Sequence, residues 1–507
     1  MNLPISRKPF PPEMKDAERK VESWWQEQIR SLPADTATAI LLLCRTAAAQ
    51  FSQAWIGLDP NNPAEFHGGA RSCLLGLQIA LQSITGELPP GEFPSTFVFS
   101  ALSLTSRQSA AAVLQKALEY ALVRDAYLTF KWGGYDVESP ATNVLRFRDV
   151  PVWEGKRDDA IRRISEQIEE EKVLAATPVV TSSGLPSMES QYDGPQTLTF
   201  PKVTLAEFLR GWSAVKEHFL QDLLSGEPSI VSLDQLISIV RQRAQLARET
   251  AEAFIRLISF DTKGTAALTL FHCPLVPVTG SSYIVIVAGM LMSRVTTCIN
   301  RIAIHRGVGY DAFSKQIEEY YLDLIKQHYA REGVFVETNV PYTFEGIRRD
   351  IDVVVYERES RRLLVGMLKA FVYPDSVEEV IRANEQLAYG IEQATEARRW
   401  LTTIPPERRG DLLNLPSGLS CETTEYAVFG NGFAGSDYLP LDPLILLVDV
   451  QYALRLTFRA RSIFEAISQY NAQITAMTLP TTSRAQMTSL TLGDVRFEFP
   501  AYTLSSQ

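Results

Sequence analysis

The segment between residues 348 and 371, RRDIDVVVYERESRRLLVGMLKAF, constrains the fold of this chain more than any other. It contains two short runs of Val, Ile and Leu separated by charged residues, a pattern typical of two strands joined by a turn. Asp352 lies inside the first run and Lys369 inside the second. A charged side chain within an apolar strand is costly unless it is paired or takes part in chemistry. The segment therefore predicts a β-hairpin that carries an acid and an amine.

The position of the turn determines which residues of this hairpin face each other. With a turn centred on Glu359 and Ser360, the antiparallel register sets Asp352 opposite Met367. Side chains alternate along a strand, so Lys369 falls on the same face as both residues. One face of the hairpin is thus expected to hold an acid, an amine and a methionine. The alternative interpretation is a structural ion pair between two strands at the margin of a sheet.

Length and charge bound the class of protein. A chain of 507 residues is long enough for several domains with a sizeable core. Its hydrophobic fraction of 46% and charged fraction of 21% are those of an ordinary soluble globular protein. The formal net charge of -10 disfavours a protein that coats nucleic acid through bulk positive charge. A local basic groove is still compatible with this balance.

Cysteine usage and hydropathy indicate a cytoplasmic protein. The five cysteines are scattered without a Cys-x-x-Cys pair, so neither a zinc ribbon nor a disulfide framework is expected. The N-terminal sequence MNLPISRKPFPPEMKDAERK has charges and prolines where a signal peptide has an apolar core. The most apolar run, from Tyr283 to Met292, is too short for a membrane-spanning helix. We therefore expect no membrane insertion and a reducing compartment.

Changes in composition and periodicity predict five segments along the chain. The first segment has helical periodicity and predicts a mainly helical N-terminal domain. A stretch rich in Ser, Thr, Pro and Gly is expected to be a linker. Helices follow it, and then a domain in which helices and strands alternate. The predicted boundaries are 1–174 for the N-terminal domain, 175–204 for the linker, 205–264 for a helical connector, 265–475 for the α/β domain and 476–507 for a tail with one strand.

Individual elements follow from the same periodicities. Residues 126–132 predict a short strand, and residues 232–254 predict one long helix. In the α/β domain the predicted order is a helix at 310–329, a strand at 334–342, the hairpin, and a helix at 376–401.

This order of elements, with its acid and amine, resembles the PD-(D/E)xK nuclease superfamily, which includes restriction endonucleases, Holliday-junction resolvases and RecB-type nucleases. The resemblance covers residues 265–450. It implies an α+β fold in which a restriction-endonuclease-like mixed sheet is flanked by helices. It also implies metal-dependent hydrolysis of phosphodiester bonds, in which two acids hold Mg²⁺ or Mn²⁺ and a lysine orients or deprotonates the attacking water.

The residues of the resembled signature can be assigned one by one. Asp352 matches the acid of the first hairpin strand, and Lys369 matches the signature lysine. Glu318 or Glu319 would supply the glutamate of the preceding helix, and helical spacing does not choose between them. The departure is Met367, which stands where the family has Glu or Asp and whose thioether is a weak ligand for Mg²⁺. Either another acid replaces it, or metal binding and catalysis are lost.

The helix that follows the lysine carries a polar stripe. Its members recur at intervals of four, three and four residues, which places them on one helical face. Many members of the resembled family carry a polar helix here that faces the active site or the DNA backbone. A solvated helix face is the alternative interpretation. The candidate binding residues are Arg382, Gln386, Tyr389 and Gln393.

The resemblance implies nucleic-acid processing, most directly a DNA endonuclease of restriction or defence type, with RNA as an alternative substrate. Asp352 and either Glu318 or Glu319 would hold the metal, and Lys369 would serve the nucleophilic water. The N-terminal helical region is expected to recognise a protein partner, a substrate or a trigger. The alternative function is a catalytically inactive protein that keeps the nuclease fold, needs no metal and serves as a scaffold for protein or nucleic acid.

Overall fold

The computed structural model of the protein has a mixed α/β architecture. Within the residues that it describes there are 14 helices and four sheets. The α+β class with a helical N-terminal region, which the sequence predicts, is confirmed. The structure describes residues 9–56, 63–84, 87–88, 90, 104–131, 135–149, 192, 194–261, 268–293, 295–372, 377–416, 421–431, 435, 439, 442–456, 462–477 and 485–502.

Four helices precede the first strand, and the longest strands come after residue 330. No helix among the described residues is long and apolar enough to cross a membrane. The helices are α1 (Pro12–Ile29), α2 (Thr36–Ile56), α3 (Pro63–Ser83), α4 (Leu104–Lys131), α5 (Leu205–Ser225), α6 (Leu233–Ala244), α7 (Arg248–Leu257), α8 (Val287–Met292), α9 (Val295–Arg306), α10 (Tyr310–Tyr329), α11 (Val377–Thr402), α12 (Pro406–Leu412), α13 (Val450–Leu456) and α14 (Ile463–Met477). The strands are β1 (Tyr135–Ala141), β2 (Val144–Asp149), β3 (Thr199–Phe200), β4 (Val203–Thr204), β5 (Ile230–Ser232), β6 (Leu275–Pro277), β7 (Ser282–Val285), β8 (Val334–Phe344), β9 (Ile347–Glu357), β10 (Arg362–Lys369), β11 (Thr423–Gly430), β12 (Ile445–Asp449), β13 (Ala485–Leu492) and β14 (Val495–Tyr502).

Two predicted elements are wrong. Residues 126–131 of the strand predicted at 126–132 are helical, because α4 continues through them to Lys131, and residue 132 lies outside the described residues. Tyr127 and Phe130 are buried together in the core on one side of α4, and this packing outweighs the local strand preference. Residues 232–254 are not one helix, since Gln245 has a left-handed backbone with φ of 55° and ends α6.

The chain divides into two compact units at places that differ from the predicted boundaries. The reason is that the helical connector and the strands after it share a core with the N-terminal helices. Leu270, Val276 and Ile284 belong to the same apolar cluster as buried side chains of α2, α3 and α4. The first unit comprises Met1–Arg148, Ala176–Phe313 and Gln486–Ala501, and the second comprises Asp149–Ala175, Ser314–Ala485 and Tyr502–Gln507.

The strands of the predicted C-terminal tail are an integral part of the first unit. β13 and β14 extend a four-stranded sheet with the order β1-β2-β14-β13. β14 pairs in parallel with β2, where Phe497 lies opposite Leu145. Both side chains are buried in one cluster with Phe147 and with Met14 of α1. The strand predicted in the tail is confirmed, and the structure adds β13 before it.

The end of the predicted linker is folded. Residues 175–191 lie outside the described residues. The last part of the segment forms the short hairpin of β3 and β4, in which the ring of Phe200 stacks on Phe208 of α5 with centroids 4.9 Å apart. Thr204 and Glu207 then form a capping box that starts α5. This stretch therefore belongs to the first unit and does not act as a linker.

The second unit is built around a five-stranded sheet with the order β12-β11-β10-β9-β8. β8, β9 and β10 are antiparallel neighbours, whereas β10, β11 and β12 run parallel. Leu387 of α11 packs in one cluster with Val365 and Val428 of the sheet. Arg362 points to the opposite face of β10, where its guanidinium lies 4.3 Å from the ring centroid of Phe464 on α14. The mixed sheet is thus flanked by helices.

The packing of β14 leads to a prediction about the stability of the first unit. Phe497→Ala should lower the free energy of unfolding by about 3–5 kcal/mol, because the fully buried ring leaves a cavity. Met487→Ala in β13 is the matched control, since Met487 is 52% exposed. The control should change the free energy of unfolding by less than about 0.5 kcal/mol. Urea unfolding followed by tryptophan fluorescence measures both values, and equal effects would contradict the burial of β14.

Candidate active site

Strands β9 and β10 form the hairpin that the sequence predicts. Gly366 lies opposite Val353, and one step further along the same register Met367 faces Asp352. The turn spans residues 358–361. The predicted register is therefore confirmed as far as Gly366 and Val353, and Met367 and Asp352 are the next positions on the two strands.

The two strands stop pairing at the position of Asp352. The ladder between β9 and β10 ends at Gly366 and Val353, and Oδ2 of Asp352 instead accepts the backbone N–H of Leu368 at 2.6 Å. Lys369 Nζ lies 3.9 Å from the same carboxylate oxygen. This separation exceeds that of a good hydrogen bond. The amine is thus held electrostatically and can still donate to another acceptor.

Helix α10 brings Glu318 to the same place. The Glu318 carboxylate accepts the backbone N–H of Ala370, and the charges of both Lys369 and Asp352 act on its pKa. Glu319 lies outside this group, because its side chain is 60% exposed and pairs with a lysine of its own helix. Of the two glutamates that helical spacing leaves open, the structure places Glu318 beside the acid and the amine.

The environment of the two carboxyl groups raises their pKa values. Burial is the largest cause for Asp352, and Asp350 adds to it. Lys369 and the N–H of Leu368 lower the pKa of Asp352 in part. Burial is also the largest cause for Glu318, whose pKa is lowered by Lys369 and raised by Asp352. One amine thus faces two partly desolvated carboxylates, and a further positive charge here would offset part of the cost of their ionisation.

Met367 belongs to the core rather than to the polar site. Its side chain is fully buried and lies in the apolar cluster that joins the sheet to α11. A thioether here fills space and offers no oxygen ligand. Among the described residues, no group of three or more His, Cys, Asp or Glu side chains is arranged to hold a metal ion. Asp350 is close enough to Asp352 to raise its pKa, but the two do not form part of such a group.

Asp352 and Glu318 are the candidate metal ligands. Mg²⁺ binds oxygen ligands and commonly uses one or two carboxylates, with water and substrate phosphate completing its shell. The two carboxylates fit this requirement in chemistry and in charge. Because Met367 contributes no oxygen, water and a substrate phosphate would have to supply the remaining ligands.

Helix α11 holds the lysine from the side. Lys369 Nζ lies 5.6 Å from the ring centroid of Tyr389, which is a cation–π arrangement. A Cβ atom at Gly390 would lie 3.1 Å from Lys369 Cγ and 2.8 Å from Val428 Cγ1. Only a glycine allows this close approach of helix to strand. Sequence reasoning missed Gly390, although a glycine inside a long helix is a signal of close packing.

Asn431 fixes the chain just after the lysine. Its Oδ1 accepts the backbone N–H of Phe371 at 2.7 Å, and its Nδ2 donates to the carbonyl of the same residue at 2.6 Å. These bonds join the ends of β10 and β11 next to Ala370, whose N–H binds Glu318. Sequence reasoning missed Asn431, because its bonding partner is 60 residues away along the chain.

The polar stripe of α11 is exposed at its beginning and partly covered further on. Arg382, Gln386 and Tyr389 are exposed, whereas Gln393 is half-buried. The contact of Tyr389 with Lys369 joins the stripe to the candidate site. The exposed members lie on the same helical face as Tyr389, which contacts the amine.

The geometry of Asp352, Lys369 and Glu318 is the basis on which this site is assigned. Comparison of the chain with protein-family models, with curated proteins and with solved structures gives no match in any of the three. The chemistry of the site is therefore argued from its own residues.

The raised pKa of Asp352 leads to a prediction about pH and stability. A carboxyl group with a raised pKa in the folded protein holds its proton more tightly there than in the unfolded chain. Stability is therefore lost as the pH rises through the window between the two pKa values, and the loss persists at pH 7. Asp352→Asn removes this loss while its side-chain oxygen can still accept the Leu368 N–H.

We expect Asp352→Asn to unfold at higher urea concentration than the wild type at pH 7, with a smaller difference near pH 4. Glu319→Gln, which removes an exposed carboxylate of α10, is the control and should behave like the wild type. A variant that is less stable than the wild type at pH 7 would show that the ion pair with Lys369 outweighs desolvation.

Proposed function

We propose that the second unit is a metal-dependent nuclease, most directly a DNA endonuclease of restriction or defence type that hydrolyses phosphodiester bonds. The observation that supports this proposal is the meeting of Glu318, Asp352 and Lys369 where β9 and β10 stop pairing. Two acids with an amine beside them provide the charges that this reaction uses. RNA contains the same bond and is the alternative substrate.

Each residue of the site has a distinct task in this proposal. Asp352 and Glu318 would hold Mg²⁺ or Mn²⁺, which would supply Lewis-acid chemistry at the scissile phosphate. The backbone N–H groups of Leu368 and Ala370 orient the two carboxylates. The amine of Lys369 orients the attacking water or takes its proton. The side chain of Lys369 is only 12% exposed, so its position is fixed by packing.

Arg382 and Gln386 extend the site along α11. Both are exposed on the helical stripe that contains Tyr389. A guanidinium and an amide donate hydrogen bonds to phosphate oxygens, and such contacts position nucleic acid without reading its sequence. We propose that these two residues bind the phosphate backbone of the substrate.

We propose that the first unit binds a protein partner. Leu75 on α3 and Leu122 on α4 are large apolar side chains that are 36% and 52% exposed, and they are available for such a contact. The five cysteines are free thiols, which supports a reducing compartment such as the cytoplasm.

Met367 favours a second function. Because its side chain lies in the core, two carboxylates must hold the metal without the third acid of the resembled family. If that is insufficient, the same unit serves as a scaffold that binds nucleic acid or protein and does not cleave it. This is the alternative to the nuclease.

Cleavage assays test the nuclease. Plasmid DNA, linear duplex, single-stranded DNA and RNA are incubated with the protein in Mg²⁺ or Mn²⁺. Lys369→Ala and Glu318→Gln should each lower the rate at least about 100-fold, because a proton-transfer group or a metal ligand is lost. Glu319→Gln is the matched control on the same helix and should cleave like the wild type.

Met367→Glu separates the nuclease from the scaffold. If the protein is a scaffold, the wild type does not cleave any of the substrates. Met367→Glu then gains divalent-metal binding, which is seen as a rise in melting temperature on adding Mn²⁺. Cleavage by the wild type that survives in Lys369→Ala would contradict the assigned site. Silence of the wild type on every substrate, in Mg²⁺ and in Mn²⁺, would contradict the nuclease.

A further inference from the structure

Beside the candidate active site, α11 and the strands β8 and β9 bring together a second polar group. We name it the Tyr389 subsite. Its helical members recur at intervals of four and three residues, which places them on one face of α11. Arg349 donates from Nε to Glu396 at 3.0 Å, and this ion pair joins helix and strand. The subsite consists of Tyr389, Gln393 and Glu396 on α11, Tyr342 on β8 and Arg349 on β9.

Two polar atoms of the subsite have no partner among the described residues. They are the hydroxyl of Tyr342 and Oε1 of Gln393. Tyr342 is 4% exposed, and its ring lies 4.7 Å from that of Trp400, so packing fixes the direction of the hydroxyl. A buried polar group without a partner is costly and calls for an explanation. A bound ligand that supplies the missing hydrogen bonds is one such explanation.

The unpartnered hydroxyl lies close to the other members of the subsite. Burial raises the pKa of Tyr342 to about 12, and the groups of Glu396, Arg349 and Tyr389 all act on it. Tyr389 in turn touches Lys369 of the candidate active site. A ligand bound here therefore lies next to the reacting phosphodiester.

Tyr389 presents a ring on which a flat ligand can stack. Its side chain is 46% exposed, although its ring contacts the lysine at 5.6 Å. Aromatic side chains of this kind bind single-stranded nucleic acid, because every nucleobase has a π-face. The ring is thus placed to hold the base that adjoins the phosphate at Lys369.

The charges of the subsite favour a base over a second phosphate. Asp350 is exposed on β9 and acts on the pKa of Tyr342, and Glu396 lies in the subsite itself. Two carboxylates repel a phosphate, whereas the edge of a nucleobase carries no net charge. A base edge also has both donors and acceptors, which complement the acceptor Gln393 and the donor Arg349.

We propose that the Tyr389 subsite binds an unstacked nucleobase, so that the protein takes single-stranded nucleic acid or a frayed end in preference to an intact duplex. In a duplex the faces and pairing edges of the bases are occupied, and the base would have to be extruded first. The role of the neighbouring phosphodiester rests on the proposed function. Base binding itself is measured without cleavage.

The test measures binding of fluorescently labelled oligo(dT) by anisotropy, in EDTA so that no hydrolysis occurs. Tyr389→Ala should weaken binding at least about fivefold, the lower end of what one base stacked on an aromatic ring contributes. Tyr389→Phe keeps the aromatic ring and should bind oligo(dT) like the wild type. Tyr310→Ala removes a tyrosine of similar exposure on α10, 45%, and should bind like the wild type.

An oligonucleotide with abasic positions and a duplex of equal length complete the test. Loss of the bases should remove the difference between wild type and Tyr389→Ala, and the duplex should bind both proteins equally. An equal loss for abasic, duplex and single-stranded DNA would overturn base stacking and leave only a charge effect. The absence of oligonucleotide binding by the wild type would also overturn the proposal.

Tyr342→Phe distinguishes a ligand-binding hydroxyl from a merely buried one. Removal of an unpartnered buried hydroxyl should raise the melting temperature of the free protein in either case. Binding of oligo(dT) should weaken in addition if the hydroxyl contacts the base, and unchanged binding would exclude that contact. Cleavage assays report separately: base-dependent binding without hydrolysis would refute the nuclease alone, and hydrolysis without base-dependent binding would refute the subsite alone.

Discussion

The hydrogen bond from the Leu368 N–H to the Asp352 carboxylate is the interaction on which the candidate site depends. It forms where the ladder between β9 and β10 ends, so the acid satisfies a backbone donor that has lost its strand partner. The next N–H on the same side of β10, that of Ala370, binds the glutamate of α10. Alternate N–H groups of one strand end thus orient two acids that come from a strand and a helix. Lys369 lies between these two donors in sequence, and its positive charge lowers the pKa of both acids in part.

Packing and chemistry compete along this one strand. Val365 and Met367 lie in the core, whereas Lys369 on the same face extends beyond it to the ring of Tyr389. The methionine adds to the apolar cluster that joins the sheet to α11 and offers no oxygen ligand. Burial meanwhile raises the pKa of both remaining acids, which is a cost to the fold that functional sites commonly carry. The site is thus a polar edge on a well-packed sheet, with its charges compensated only in part.

The hairpin and its register could be predicted from sequence because they depend on neighbours within a few residues. The length of the turn and the alternation of side chains are enough to pair Asp352 with Met367. Other features depend on distant contacts. Gly390 matters only because α11 crosses Lys369 and Val428, and Asn431 only because β11 ends beside Phe371. Distant contacts also decide that α2–α4 share one core with β6 and β7. This could not be predicted, because no local pattern reveals which apolar faces meet.

The parallel pairing of β14 with β2 has a consequence for the order in which the protein is made. A ribosome produces the strand near residue 144 long before its partner near residue 496, and most of the second unit lies between them in sequence. Domains generally fold as they emerge. The second unit can therefore complete its five-stranded sheet before β14 is made, whereas the first must hold an unpaired edge on β2 until β14 emerges. A chaperone would be most useful to this chain while the edge of β2 is unpaired.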